Sequence, residues 1–412
     1  MGRRTQSALR HWIPPLPLAA GLVFQIIGWA LVVLYGFSPS AGIALAWVHA
    51  VALGWLTLTA LSVLLFVIPA FTELRWRGER IARAAVAVVP FGILLLLMGF
   101  AARVSAVLEA GAAVLFVAIA AYFAVALRTL VQHAAERTEA AIARALAIAL
   151  AMLTATAILG ASLAHGYASG DSRIAGLAPS HALLGIGAWL TVLISGVSVQ
   201  TFRPMLGARS RWPLAHMIGG ASLFFGFVVG AAGAPLSAPV LRFGVVLATV
   251  GAVIYAVDAL DVVRRATTPH PPVRAFVAAA VGWLLIAAAC TVAASWSAPL
   301  GGLAVVAALA GWVGGMVNAH LHHLGVRVVI TLIRGDDDET RPWDVLNPRL
   351  TWAAFALGQT AVWGTFLGLS ANVPALFLAA GGAGLASLAC IVANVITVRR
   401  TVRRADPVVS LV

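Results

Sequence analysis

The chain has no lysine: each of its 27 basic residues is an arginine. Acids are also few, with 14 Asp and Glu, and charged residues make up only 10% of the 412 positions, against about a quarter in soluble domains. Cysteine is nearly absent, and Cys290 and Cys390 both fall in apolar runs, where they are packing residues rather than a disulfide. No stretch is long and polar enough to fold as a separate soluble domain. Nor are there segments of about ten alternating residues, which excludes a transmembrane β-barrel. What remains is 62% hydrophobic residues and a mean hydropathy of +0.99. That composition places the whole chain, 1–412, in the lipid bilayer as one polytopic membrane domain.

The fold class follows from the apolar runs. Twelve of them are long enough to cross the bilayer as helices: 15–36, 41–70, 81–101, 104–128, 141–164, 179–202, 213–233, 240–262, 274–295, 300–326, 350–371 and 374–398. Pro, Gly, Ser and Arg separate them, as in "FSPS", "ELRWRGER", "GARSRWP" and "TTPHPP". The reading is an all-α bundle of about twelve transmembrane helices. With both termini cytoplasmic, 24 arginines fall inside and only Arg103, Arg173 and Arg242 outside. This asymmetry is the positive-inside rule, so the +13 charge reports topology and not a nucleic-acid partner. The N-terminal "MGRRTQSALRHWIPPLP" enters the first run with no small-residue cleavage site and reads as an uncleaved helix. Arg-only, Ala-rich usage suits a bacterial inner membrane.

Two polar loops call for a reading. In "RGDDDETRPWDVLNPR" four adjacent acids, Asp336 to Glu339, lack the alternating oxygens of a calcium loop, and a solvated loop paired with Arg341 and Arg349 is expected. His11, His133 and His270 lie in cytoplasmic segments and read as surface residues.

The intramembrane histidines carry the functional signal. An ionisable side chain inside a transmembrane helix is costly, and by default it marks a cofactor, a proton path or a substrate route. His49, His181, His216, His320, His322 and His323 all lie within predicted spans, with His165 at the outer end of the fifth. In "AHLHHLG" each residue turns about 100°, so His320 and His322 point to nearly opposite faces while His320 and His323 share one. A single metal cannot take both His320 and His322, but two cofactors flanking one helix can. Within the same runs Gln25, Gln200, Asn318, Gln359 and Asn394 read as interhelical hydrogen bonders, and Arg327 as snorkelling to the inner interface.

At these residues the sequence resembles the catalytic subunit of heme-copper oxidases and nitric oxide reductases. That family has twelve helices, with a heme ligand on the second, copper ligands on the sixth and seventh, and an H-x-H on the tenth. Here His49 stands on the second run, His181 on the sixth, His216 on the seventh and "HLH" on the tenth. The resemblance implies a redox protein that transfers electrons or handles O2 or NO. His49, His320, His322 and His323 would bind heme, of b type, with His49 and His322 sharing one iron; His181 and His216 would bind metal, copper being the family's. It further implies a cytochrome c-type or cupredoxin electron donor, or a partner subunit, since the chain has no soluble cytochrome domain.

The departures are specific. The seventh run has one histidine where the family has an adjacent pair, Gly185 stands where oxidases have Tyr, and Glu109 and Asp258 lie near a membrane face. A degenerate member is the reading. Depth offers a different grouping: His49, His165 and His181 towards the outside, and His216, His320 and His323 towards the inside, making a two-heme wire. The second and sixth runs also repeat one another, each with His, Gly, Trp, Thr and a late Pro (Pro69, Pro204). Such repeats occur in transporters too, and a metal permease with a histidine-lined path is the alternative.

Overall fold

A computed structural model describes residues 15–72, 75–131, 140–335 and 338–404. Among them there is no strand, and eleven helices are long and apolar enough to cross a membrane. In chain order the long helices are α1 (Pro15–Phe37), α2 (Ala41–Pro69), α3 (Glu79–Ala102), α4 (Ser105–Leu130), α5 (Ala140–Ser169), α6 (Ala178–Leu206), α7 (Pro213–Gly233), α8 (Ala238–Arg264), α9 (Pro271–Ala294), α10 (Gly301–Arg334), α11 (Pro348–Ala371) and α12 (Pro374–Arg404). The eleventh expected span, 350–371, forms the 24-residue helix α11, but Gln359 and a scatter of Thr, Gly and Trp leave it less apolar than the other eleven. The tenth run also extends further than its expected end at 326, as one helix to Arg334.

Local chemistry sets the helix ends. Pro occupies the first turn of α7, α8, α9 and α11, where its missing N–H costs nothing. Ser40 caps α2 by accepting from Ile43 N–H at 3.2 Å, and Asn347 caps α11 by accepting from Arg349 N–H at 3.0 Å. Gly207 ends α6 at φ 71°, a left-handed conformation that glycine adopts without steric cost.

Sequential helices pack as hairpins, α3 with α4, α7 with α8 and α11 with α12, and α1 packs on α12 to close the ring. Inside it stand α2, α6 and α10, whose middles touch one another. These same three helices relax into π-helix geometry at Ala50–Thr57, Leu183–Thr191 and Ala307–Val313, and α10 does so again at Leu321–Gly325. Such segments are rare and cluster at functional sites.

The repeat legible in the second and sixth runs therefore has a third copy in the tenth. The three π segments at Ala50–Thr57, Leu183–Thr191 and Ala307–Val313 each carry a buried Trp: Trp55, Trp189 and Trp312. They join in a ring. Trp189 Nε1–H donates to Thr57 Oγ1 at 3.0 Å and Trp312 Nε1–H to Thr191 Oγ1 at 3.2 Å. Trp55 closes the ring against Gly314, where a Cβ would meet its indole at 2.9 Å. A glycine beside each Trp admits an aromatic ring from a neighbouring helix: Phe24 at Gly54, Phe227 at Gly187 and Trp283 at Gly311. This Trp layer divides the bundle into two ends, each with its own histidines.

Candidate functional site

At the first end, where α2 and α6 begin, the structure brings His49 and His181 together. Their ring centres are 6.2 Å apart with planes inclined by 23°. Each imidazole is anchored through Nδ1: His49 on Leu45 O at 2.8 Å and His181 on Thr156 O at 3.1 Å. A carbonyl only accepts, so Nδ1 carries the proton and Nε2 keeps its lone pair. Neither Nε2 has a hydrogen-bond partner among the described residues. Metal-ligating histidines use this tautomer, with the other ring N–H tied to a carbonyl. The 6.2 Å between ring centres is of the size that two imidazoles on one metal have, about 6 Å with His–metal bonds of about 2.0–2.1 Å. Two imidazoles of this tautomer are the donor type that a metal centre, heme iron included, takes.

The surroundings hold the pair in place. Phe100 of α3 lies 4.9 Å from the His49 ring, and Tyr167 of α5 meets Phe100 edge-on at 6.5 Å. His181 fits because Gly160 has no side chain; a Cβ there would stand 3.0 Å from its Cε1. His165 is at this end too but turns away: its Nδ1 pairs with Glu109 at 2.8 Å, with the His165 side chain 68% exposed.

At the other end the three histidines of α10 go to three different neighbours. His320 donates through Nδ1 to Met316 O at 2.7 Å, and its Nε2 bonds Thr201 Oγ1 of α6 at 2.9 Å. His322 donates through Nδ1 to Asn318 O at 2.8 Å and stacks on Phe276 of α9 at 5.2 Å. His323 faces Trp343, beyond the end of α10, at 6.1 Å. The opposite facing of His320 and His322 agrees with the helix wheel. His49 and His322 do not meet: one precedes the Trp layer and the other follows it in parallel helices, roughly 20 Å apart along the axis at about 1.5 Å per residue.

His216 is engaged at both nitrogens. Nε2–H donates to Ser195 O at 3.1 Å, and Nδ1 meets Asp258 Oδ2 at 2.7 Å. Ser210 Oγ–H donates to the other carboxylate oxygen at 2.6 Å. Whichever of the two groups carries the proton between Nδ1 and Oδ2, the pair welds α6, α7 and α8 and leaves no free lone pair for a metal. No group of three or more His, Cys, Asp or Glu suited to a metal ion occurs among the described residues.

Several smaller readings change. His270 is not a surface residue: it caps α9 and is only 6% exposed. His11 and His133 lie outside the described residues, as do Asp336 and Asp337. Asp338 pairs with Arg334 at 3.5 Å, while Arg341 lies over the Trp343 ring. Arg327 donates to Asp338 O and Thr340 O at 2.8 and 3.0 Å instead of reaching out alone. Asn394 bridges to Asn347 and Thr351, and Gln359 accepts from Trp283 Nε1–H at 3.0 Å, both as interhelical bonders. Gln25 and Asn318, by contrast, keep side-chain oxygens without a partner. Comparison with protein-family profiles and with curated proteins finds no match for this chain.

Proposed function

We propose that this chain is a membrane redox protein in which His49 of α2 and His181 of α6 would hold a b-type heme. The observation that carries the reading is the facing pair itself: two imidazoles on different inner helices, each with Nδ1 tied to a carbonyl and Nε2 free. This departs from the ligand pairing that the oxidase resemblance implies, because His49 is grouped with the α6 histidine and not with α10. It keeps the separation of outer and inner histidines. When bound, heme would supply one-electron transfer or O2 or NO chemistry. The residues of the chain supply the ligand tautomer, the apolar wall of Phe100 and a rigid Trp layer beneath.

The excess of arginine at the opposite end puts the His49 end outside by the positive-inside rule, in a bacterial inner membrane. A soluble cytochrome c or cupredoxin then reaches the His49 end. Copper held by the same two nitrogens is the competing occupant, and a metal permease the competing function.

The test is a reduced-minus-oxidised absorption spectrum of the detergent-purified protein, with metal analysis, on the wild type and on His49→Ala, His181→Ala and His322→Ala. The expected result is a sharp reduced α-band lost in the first two variants and kept in the third. Loss in His322→Ala with retention in His181→Ala would restore the oxidase pairing. A protein with copper and no heme, grown with ample heme, would sink the heme reading.

A further inference from the structure

Buried polar atoms without a protein partner are rare, and ordered water is their usual partner. Arg83 aside, the described residues contain five such side-chain atoms: Gln25 Oε1, Tyr255 OH, His270 Nε2, Asn318 Oδ1 and His322 Nε2. Four of the five lie in one seam, between α10 and the helices α1 and α9.

The seam begins at the Trp layer. Gln25 and Asn318 face a cavity of about 20 Å³, which Trp55, Phe276, Gln359 and Ser387 also line. One water needs about 10–15 Å³ by this kind of measure, so the cavity takes one. Gln359 Oε1 is occupied by Trp283, which leaves its NH2 to donate. The cavity thus offers two acceptors and a donor, and a water molecule gives two hydrogen bonds and takes one. A hard cation would find far fewer oxygens than the six to eight that such ions take.

The seam continues past Phe276, which lines the cavity and stacks on His322 with planes inclined by 25°. His322 has its proton on Nδ1, so its buried Nε2 is an acceptor. His270 is the complement: its Nδ1 accepts the Val273 N–H at 3.4 Å, so in the neutral ring the buried Nε2 is a donor. The His270 ring is pushed down to about 4 by its burial and then by the nearby His322. His320, His323, Arg327 and Arg334 are further ionisable groups at this end of α10, with Asp338 paired to Arg334.

We propose that this seam is a hydrated half-channel, with one water held by Gln25, Asn318 and Gln359 and another bridging His270 and His322. It gives protons a path from the arginine-rich end of the bundle as far as Trp55. The path does not cross the bundle, and the inference does not depend on what His49 and His181 bind.

Hydroxyl-radical labelling by X-ray pulses tests it, because the radicals form from bound water and oxidise whatever side chain touches it. Phe276 and Trp55, only 2% and 5% exposed, are expected to be oxidised, while Trp189, 1% exposed and away from the seam, is not. His322→Phe should lower labelling of Phe276, which the cavity water still touches, and spare that of Trp55, and Gln25→Leu with Asn318→Leu should abolish that of Trp55. Exposed Trp352 reports equal dose, and the inertness of buried Trp189 reports an intact fold, in each sample. If Phe276 and Trp55 of the wild type are as inert as Trp189, the seam is dry and the proposal fails. Unchanged labelling in a folded His322→Phe variant would overturn the bridging water.

Discussion

Removing Asp258 should cost the bundle more than the loss of an ordinary interhelical hydrogen bond. The carboxylate is almost fully buried, accepts from His216 at 2.7 Å and from Ser210 at 2.6 Å, and is the only carboxylate bonded to that imidazole among the described residues. Asp258→Leu leaves His216 with Nε2–H on Ser195 O and no counter-charge at Nδ1. Breaking one side of a buried ion pair costs about 3–5 kcal/mol, whereas interhelical hydrogen bonds in membranes average about 0.6 kcal/mol and reach about 1.7. The two cases separate in a double-mutant cycle of Asp258→Leu and His216→Leu, read by reversible denaturation in mixed micelles. Each single variant is expected to lose about 3–5 kcal/mol, and the double variant to lose less than the sum, with a coupling of at least about 2 kcal/mol. A coupling at or below about 0.6 kcal/mol would show that the pair is a plain hydrogen bond, and would refute the expectation of a buried ion pair.

Two further outcomes follow from other contacts. Trp189→Phe and Thr57→Val each remove the same bond between α6 and α2, so each should destabilise by about 1 kcal/mol and the pair together by little more, read in the same denaturation assay. His270 titrates lower in the fold than its usual 6.5, so the unfolded chain takes up its proton first as pH falls. Stability should therefore drop between pH 6.5 and about 4 more in the wild type than in His270→Gln, and equal slopes in the two proteins would refute its burial.

The arginine count, the apolar runs and the scarcity of acids were enough to establish a helical membrane bundle, because a bilayer-spanning helix must satisfy its backbone internally and present apolar side chains all along its length. The placement of histidines on the second, sixth and tenth runs was legible for the same reason: an ionisable residue stands out in such a run. Two copies of a threefold repeat could be read in "HAVALGWLT" and "HALLGIGAWLT". The third copy was hidden because in "AGWVGG" glycine stands where the others have Thr, and its histidines come after the Trp rather than before it.

Tertiary structure alone decided which histidines are neighbours. Depth along a helix is a sum of rises, and π segments alter both rise and phase, so the partner of His49 is not encoded in its own run. His270 looked like a loop residue and is buried because α9 begins beneath the end of α10. His216 looked like a metal ligand, but both of its ring nitrogens are engaged, Nε2–H on Ser195 O and Nδ1 with Asp258, which lie on other helices. The sequence by itself determined what kind of solvent surrounds this chain and which side chains are anomalous in it. Only the packed bundle decided which of those anomalies satisfy one another and which keep a free nitrogen, because hydrogen-bond partners more than one turn away are chosen by helix packing and not by spacing along the chain.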